Sequence, residues 1–542
     1  VTGHSTSLAE AERFIHGPGL SEALEELARV DPQRPYLKDR QGVVSVGELN
    51  RRVDDAVTQL RGRGAEASSR IAIALPTEAE QVVLIFAVLR LGALWIPLNP
   101  QLIGEPLRHQ LRDSGATAVV TEASGSLAEQ LGADAVAGPA LPGELGEVPV
   151  VFSLTGEDDA RGDDSPRVQP AGDRKDACLL MYTSGTTGPP KGALVSETML
   201  RAAVLGAIEV TTPRPGDVFY VWEPLFHIGG AQVVFLPLFR QVTLALAPKF
   251  SASRFWQDVA DFGVTHIHYL GGVLQILLQL PVTAEELDNR VRIAWGAGAT
   301  PEVRAACHER YDFALHECYG MTETSSIVTV NRNEVDGGVG RPLPWVEIAT
   351  DPAESGASPG SSGSSGGASS AGDGAENDSV NGEVRVRGRV PGLLTAGYLG
   401  NPDASEKARD GEWFRTGDLG YLDRQGRLHF AGRGSDSIRV RGENVSAWQI
   451  ESVFGLHPDV DRCAVVGVEA QVGEQEMLLV LTAAEGRQLD PRAILAWGES
   501  RLARFQVPRY ARVVDEMPLT PSQRIAKHRL PRDLGAAVSR TA

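Results

Sequence analysis

The chain has 542 residues, 42% of them hydrophobic and 23% charged, with a net charge of −18. That length exceeds what one hydrophobic core supports, so at least two domains are expected. An acidic chain has no basic surplus to neutralise phosphates, which argues against a nucleic-acid partner.

In chain order, Leu20, Ala23, Leu24, Leu27 and Ala28 recur at helical spacing. Ile71 to Leu75 reads as a short apolar strand, Val82 to Leu89 as a buried helix and Ala118 to Thr121 as another strand. This alternation through the first 340 residues predicts α/β layers with largely parallel strands. The apolar run Val82 to Leu89 is too short to span a bilayer, and Val1-Thr2-Gly3-His4 opens no signal-peptide pattern. Cys178, Cys307, Cys318 and Cys463 are scattered, so neither a disulfide framework nor a zinc site is expected. A cytoplasmic protein with no membrane partner fits best.

Residues 352–381 are rich in Ser and Gly and cannot bury enough apolar surface to offset ordering entropy. They read as a flexible surface insertion. An interdomain linker is the competing reading, disfavoured because the motifs on both sides belong to one domain. Compact strands resume after about Ser435, at Cys463 to Val468, Met477 to Ala483 and Tyr510 to Asp515.

The strand-like Cys178 to Tyr182 feeds a loop that begins Thr183-Ser184-Gly185-Thr186-Thr187 and ends at Lys191-Gly192. Its glycines let backbone approach phosphate oxygens, its hydroxyls can donate to them, and Lys191 adds a positive charge. The spacing does not fit a Walker loop. A plain Gly/Thr surface turn is the bland alternative, and the segments that follow weigh against it.

Those segments are Tyr319-Gly320-Met321-Thr322-Glu323, Gly340-Arg341-Pro342, Phe414-Arg415-Thr416-Gly417-Asp418 and Gly432-Arg433. With the loop they make five motifs, and on them the chain resembles the acyl-CoA synthetase, peptide-synthetase adenylation-domain and luciferase superfamily. The resemblance covers essentially the whole chain except the Ser/Gly insertion. It implies an α/β fold. A large N-terminal domain of layered α/β subdomains (residues 1–434) would bind adenylate and acyl group, and a small mobile α+β C-terminal domain (residues 435–542) would follow.

Site roles follow from the same resemblance. The loop Thr183 to Thr187 with Lys191 would cradle phosphates, and Tyr319, followed by Gly320, would stack on adenine. Gly296-Ala297-Gly298-Ala299-Thr300 would form the adenine wall, and Gly296 also counts with the acyl pocket. Thr322 would hold the α-phosphate, and Glu323 would bind Mg²⁺, a cation suited to carboxylate and phosphate oxygens. Asp418 would accept from both ribose hydroxyls, and Arg433 would contact ribose or phosphate. Taken alone, Thr-Gly-Asp is better read as a turn.

The segment Glu223 to Gly230 resembles the family's acyl-pocket lining, with His227 beside the carboxylate and the thiol tunnel. Outside that context His227 could equally be a satisfied core histidine. The stretch carries no aspartate to pair a substrate amine, which disfavours an amino-acid substrate. Tyr269 to Leu274 would form the pocket floor, where Gly271 and Gly272 leave volume for a bulky acid. A tight turn needing positive φ is an equal reading of that glycine pair. Thr265 to Leu278, with Arg292 to Gly296, resembles the crotonobetaine/carnitine-CoA-ligase-like branch. The sequence as a whole, with no single motif behind it, resembles a ligase of the platensimycin/platencin diterpenoid pathway.

Two positions depart from the family pattern. The pivot of domain rotation is Ser435, where Asp or Lys is usual, followed by Arg441-Gly442-Glu443-Asn444, whose Gly442 would line the pantetheine tunnel. The catalytic loop Pro518 to Lys527 has Gln523-Arg524 in place of Gly-Lys. A wide planar guanidinium does not simply replace a compact ammonium in a tight site. Losing a preorganised transition-state donor typically costs ~10²–10³ in rate. The expectation is an acyl-CoA ligase deficient in adenylation that transfers a preformed acyl-adenylate to CoA. It would use ATP or acyl-adenylate, Mg²⁺, CoA and a carboxylic acid, and a separate adenylating ligase as partner. The alternatives are a complete ATP-dependent acyl-CoA synthetase and an inactive adenylate-binding regulatory protein.

Overall fold

The apolar run around Val82 forms the helix Ala79–Leu91, with residues 81–88 all buried. A helix apolar all round belongs inside a protein, and this one stops at Gly92, which takes the left-handed conformation at φ 73°. The computed structural model describes residues 6–100, 104–122, 136–137, 149–153, 177–183, 190–332, 338–350, 381–433, 437–440, 443–469, 475–502, 506–519 and 525–540. The pivot Ser435 and nearly all of the Ser/Gly insertion lie outside them. The fold is mixed α/β, and the chain divides into two compact units. One comprises residues 1–347, 387–414 and 516–530, the other 348–386, 415–515 and 531–542.

The first unit holds two large sheets. In one, Ala314–Met321, Ile293–Ala297, His266–Leu270, Val218–Val221, Thr243–Leu246 and Pro35–Lys38 run parallel in that order. Val218–Val221 is buried at every position, as expected for a parallel strand covered on both faces. In the other sheet, Arg70–Ala74 lies between Leu94–Pro97 and Ala118–Glu122, all parallel. Beyond Leu94–Pro97, Ala177–Thr183 turns back antiparallel into Lys191–Ser196. Parallel strands all end at one edge, and ligands of such sheets sit outside their carboxyl ends. Glu223, Gly271, Gly298 and Thr322 each follow the end of one of four neighbouring strands.

The second unit contains the sheet Val460–Glu469, Gln475–Ala483, Tyr510–Val513 and Val538–Ser539. Helices Ala447–Phe454 and Pro491–Glu499 pack on it through Ile450, Phe454, Ile494 and Leu495, all buried. Each fully buried aliphatic side chain contributes about 1.5–3 kcal/mol.

Candidate active site

Thr183 and Lys191 are paired in register across the two antiparallel strands that flank the Gly/Thr loop. The Thr183 hydroxyl donates to Glu323 Oε1 at 3.3 Å, and the Tyr398 hydroxyl donates to the same oxygen at 2.9 Å. Lys191 Nζ lies 5.3 Å from the Tyr398 ring centroid, within cation–π reach. Glu323 is buried in the short 3-10 helix Thr322–Thr324, and its backbone oxygen accepts from Thr395 N–H at 2.9 Å. A carboxylate, two hydroxyls and an ammonium therefore meet at the mouth of the loop. Ser184, Gly185, Thr186 and Thr187 lie outside the described residues. Tyr398 was not singled out from the sequence. It arrives through an antiparallel bridge with Ala193 that joins segments over 200 positions apart.

The second cluster is built around Glu317. Gly298, at φ 87°, and Ala299 donate their N–H groups to Glu317 Oε1 at 2.6 and 3.1 Å. Arg304 Nη2 (2.8 Å) and the Tyr269 hydroxyl (3.0 Å) donate to Oε2. Burial pushes the Glu317 carboxyl up to about 7, against the opposing pull of Arg304 and the hydrogen bonds. Thr300 caps the helix Pro301–Arg310 by accepting from Val303 N–H at 3.3 Å. Two glycines beside this cluster are sterically required. A Cβ at Gly296 would overlap the Tyr269 carbonyl oxygen, and one at Gly320 the Ser326 carbonyl oxygen. Tyr319 is buried on the strand Ala314–Met321. Neither Glu317 nor Arg304 was marked by a motif.

In the segment expected to line the acyl pocket, His227 precedes the helix Ile228–Val234, with its ring 4.6 Å from that of Phe226. Gly271 and Gly272 open the helix Gly271–Gln279, so this glycine pair starts a helix rather than making a tight turn. Nearby, His268 Nδ1 sits 2.7 Å from Glu223 Oε2.

Asp418 and Arg433 belong to the second unit and are paired in register between Trp413–Leu422 and Leu428–Arg433. Asp418 is 2% exposed, and its N–H donates to Thr416 Oγ1 at 3.0 Å. The Thr-Gly-Asp segment is thus part of a strand, with Gly417 at φ 72°. Gly442, Gln523 and Arg524 lie outside the described residues. The residues that flank the Arg524 loop are described: Leu519 and Ile525 form an antiparallel bridge, and Ala526 N–H donates to Pro518 O at 2.7 Å.

The sequence profile of the AMP-binding enzymes matches residues 24–399, and that of the AMP-binding enzyme C-terminal domain matches residues 449–524. Feruloyl-CoA synthase of an Amycolatopsis species is 30% identical, over 94% of this chain and 97% of that protein. Steroid-22-oyl-CoA synthetase of Rhodococcus jostii is 30% identical, over 88% of this chain and 86% of that one. O-succinylbenzoate Coenzyme A synthetase from Bacillus subtilis, in complex with ATP and magnesium, superposes with a TM-score of 0.75. It is 25% identical and covers 94% of this chain and 98% of its own. The chain belongs to the AMP-binding enzyme superfamily, in the acyl-CoA ligase family.

Proposed function

We propose that this enzyme makes acyl-CoA thioesters through an acyl-adenylate, and that its adenylation half-reaction is impaired. The observation that carries the second part is Arg524, preceded by Gln523, where the family pattern has Gly-Lys. The nucleotide ligands are retained. Thr183 to Thr187, Lys191 and Thr322 would hold the phosphates. Tyr319 and the Gly298-Ala299-Thr300 wall would hold adenine, and Asp418 and Arg433 the ribose. No cluster of three or more acidic, His or Cys side chains able to hold a metal occurs among the described residues. A single buried carboxylate at Glu323 still suits Mg²⁺, which keeps most of its ligands from water and substrate phosphates. When bound, that ion would neutralise phosphate charge. The solved relative with ATP and magnesium supports ATP and Mg²⁺ as what such a site would bind.

Thioesterification would use a different placement of residues 435–542, turned about Ser435, with Gly442 lining the thiol tunnel and His227 beside the acyl carbonyl. This step does not need a lysine at position 524, so a preformed acyl-adenylate from a partner ligase would be used normally. The names of the steroid and feruloyl relatives support a bulky acid, in keeping with Gly271 and Gly272. No helix among the described residues is long and apolar enough to cross a membrane, and a cytoplasmic location is part of this reading. The same relatives, named as CoA synthetases and synthases, favour a complete ATP-dependent ligase as the second reading.

A paired assay separates the two. Acid with ATP and CoA is compared with synthetic acyl-adenylate and CoA. Product from the adenylate alone is expected. Equal product from both means that Arg524 does the work of lysine. No product from either means an adenylate-binding protein without turnover.

A further inference from the structure

A small cavity of about 10 Å³ lies among Phe219, Val221, Val233, Trp295, Glu223 and His268. That is room for one water-sized group. Tyr220 also lines it, but its hydroxyl is committed to Asp258 at 3.1 Å. Glu223 and His268 are therefore the polar side chains that a guest would meet. They sit 2.7 Å apart, Nδ1 to Oε2, with side chains only 10% and 11% exposed. The pair is held in place. The His268 ring packs on Trp295 at 4.3 Å between centroids, and the Trp222 indole N–H donates to the His268 backbone oxygen at 2.8 Å. A Cβ at Gly229 would press on the Glu223 carboxylate, so the absence of a side chain there makes its space.

Position adds to chemistry. Glu223 follows the strand Val218–Val221 and His268 lies in the adjacent parallel strand His266–Leu270. The helix Ile228–Val234, which supplies Gly229, Gly230 and Val233 to the cavity, starts directly after His227. A buried acid–imidazole pair rarely outperforms apolar packing as a source of stability. In an acyl pocket, a few polar groups converging among apolar walls are what fix the orientation of a ligand and give specificity.

The pair also discriminates among guests. A hydroxyl can donate to the carboxylate and accept from an imidazole N–H, so it satisfies both partners. An ammonium only donates, so it leaves an imidazole N–H without an acceptor. A methyl group crowds the pair without bonding to it. We propose that Glu223 and His268 form a polar subsite of the acyl pocket that selects a carboxylic acid bearing a hydroxyl on its acyl skeleton. This rests on the ligase reading above.

The test uses the full-length enzyme, CoA and synthetic acyl-adenylates, which bypass adenylation. The probes are octanoyl and 3-phenylpropanoyl adenylates, each unsubstituted and with a hydroxyl or an amino group at every position in turn. At least one hydroxylated member should exceed its unsubstituted parent by about 10²-fold in kcat/KM. In Glu223→Leu and in the isosteric Glu223→Gln that ratio should fall by about tenfold or more. A ratio within one preparation is insensitive to the fraction of folded protein. The subsite is overturned if the parents match every hydroxylated analogue, if an amino analogue is preferred, or if Glu223→Gln keeps the wild-type ratio. Failure of every adenylate to yield thioester overturns the ligase reading itself, and the subsite with it.

Discussion

Glu317 gathers four donors on two oxygens at a place shielded from water. Its carboxyl sits at about 7 against an ordinary 4.5, so the folded protein holds a proton there that the unfolded chain releases. Its contribution is complete below pH 4.5 and is lost as pH rises through about 7. Stability should therefore decline across that window by up to about 1.4 kcal/mol per pH unit from this group. Glu317→Gln should flatten the decline, as followed by denaturant unfolding at several pH values. An unchanged slope would place the titration elsewhere. Tyr398 allows a second test. Tyr398→Phe keeps the ring beside Lys191 but removes one of two hydroxyls from Glu323. Removing a partner that orients a metal-binding carboxylate typically costs about 10–100-fold in metal affinity, so calorimetric affinity for Mg-ATP should fall by at least about tenfold. Equal affinity would detach this cluster from the nucleotide. Glu317 was legible in principle. It precedes Tyr319 by two on one strand, and a period of two puts both on one face. Tyr398 was not, because only the fold brings it to Glu323.

The strand ends that carry the candidate site depend on close backbone approach. Gly320 lies where the register shifts between Ala314–Met321 and Ser326–Arg332, with the Ser326 carbonyl in the space a Cβ would take. Gly320→Ala should therefore destabilise the protein by about 3 kcal/mol, the range for forcing atoms into a packed region. Urea unfolding reads this as a lower midpoint. A shift below about 0.5 kcal/mol would show that the hairpin relaxes freely. The strand at Ile71, the buried helix around Val82 and the strands at Cys463 and Met477 were legible because their apolar periodicity is local. The strand order was not. Pro35–Lys38 pairs with Thr243–Leu246, a partner about 200 positions away that no local pattern announces. The pair Gly271-Gly272 misled in another way. Glycine is a poor helix former, yet burial of Val273, Leu274 and Leu277 carries the helix Gly271–Gln279 through its weak start.

Across the molecule, a chain with two compact units and two half-reactions can lose one reaction without losing the other. Asp418 lies in one unit, while Thr183, Lys191, Thr322 and Glu323 lie in the other. Under the proposed reading these residues would still serve as ligands of ATP and Mg²⁺, and the change from the family pattern would fall on the cation at position 524. Arg524→Lys, alone and with Gln523→Gly to restore loop freedom, should then raise acid-dependent pyrophosphate release. In the proposed reading lysine would bring a compact ammonium with three rotatable donors to the point where charge develops, whereas the guanidinium fork is planar and wider. The expected gain is about 10²–10³ in rate, the usual worth of one preorganised donor in a transition state. Thioester formation from a supplied adenylate should change little in the same variant, because in the proposed reading that step does not use residue 524. The two readouts together make the test specific. A general gain in folding or expression would raise both, and a repaired adenylation step raises only the first. If wild type already releases pyrophosphate at the rate of the lysine variant, the two half-reactions are not separated and Arg524 is a working substitute.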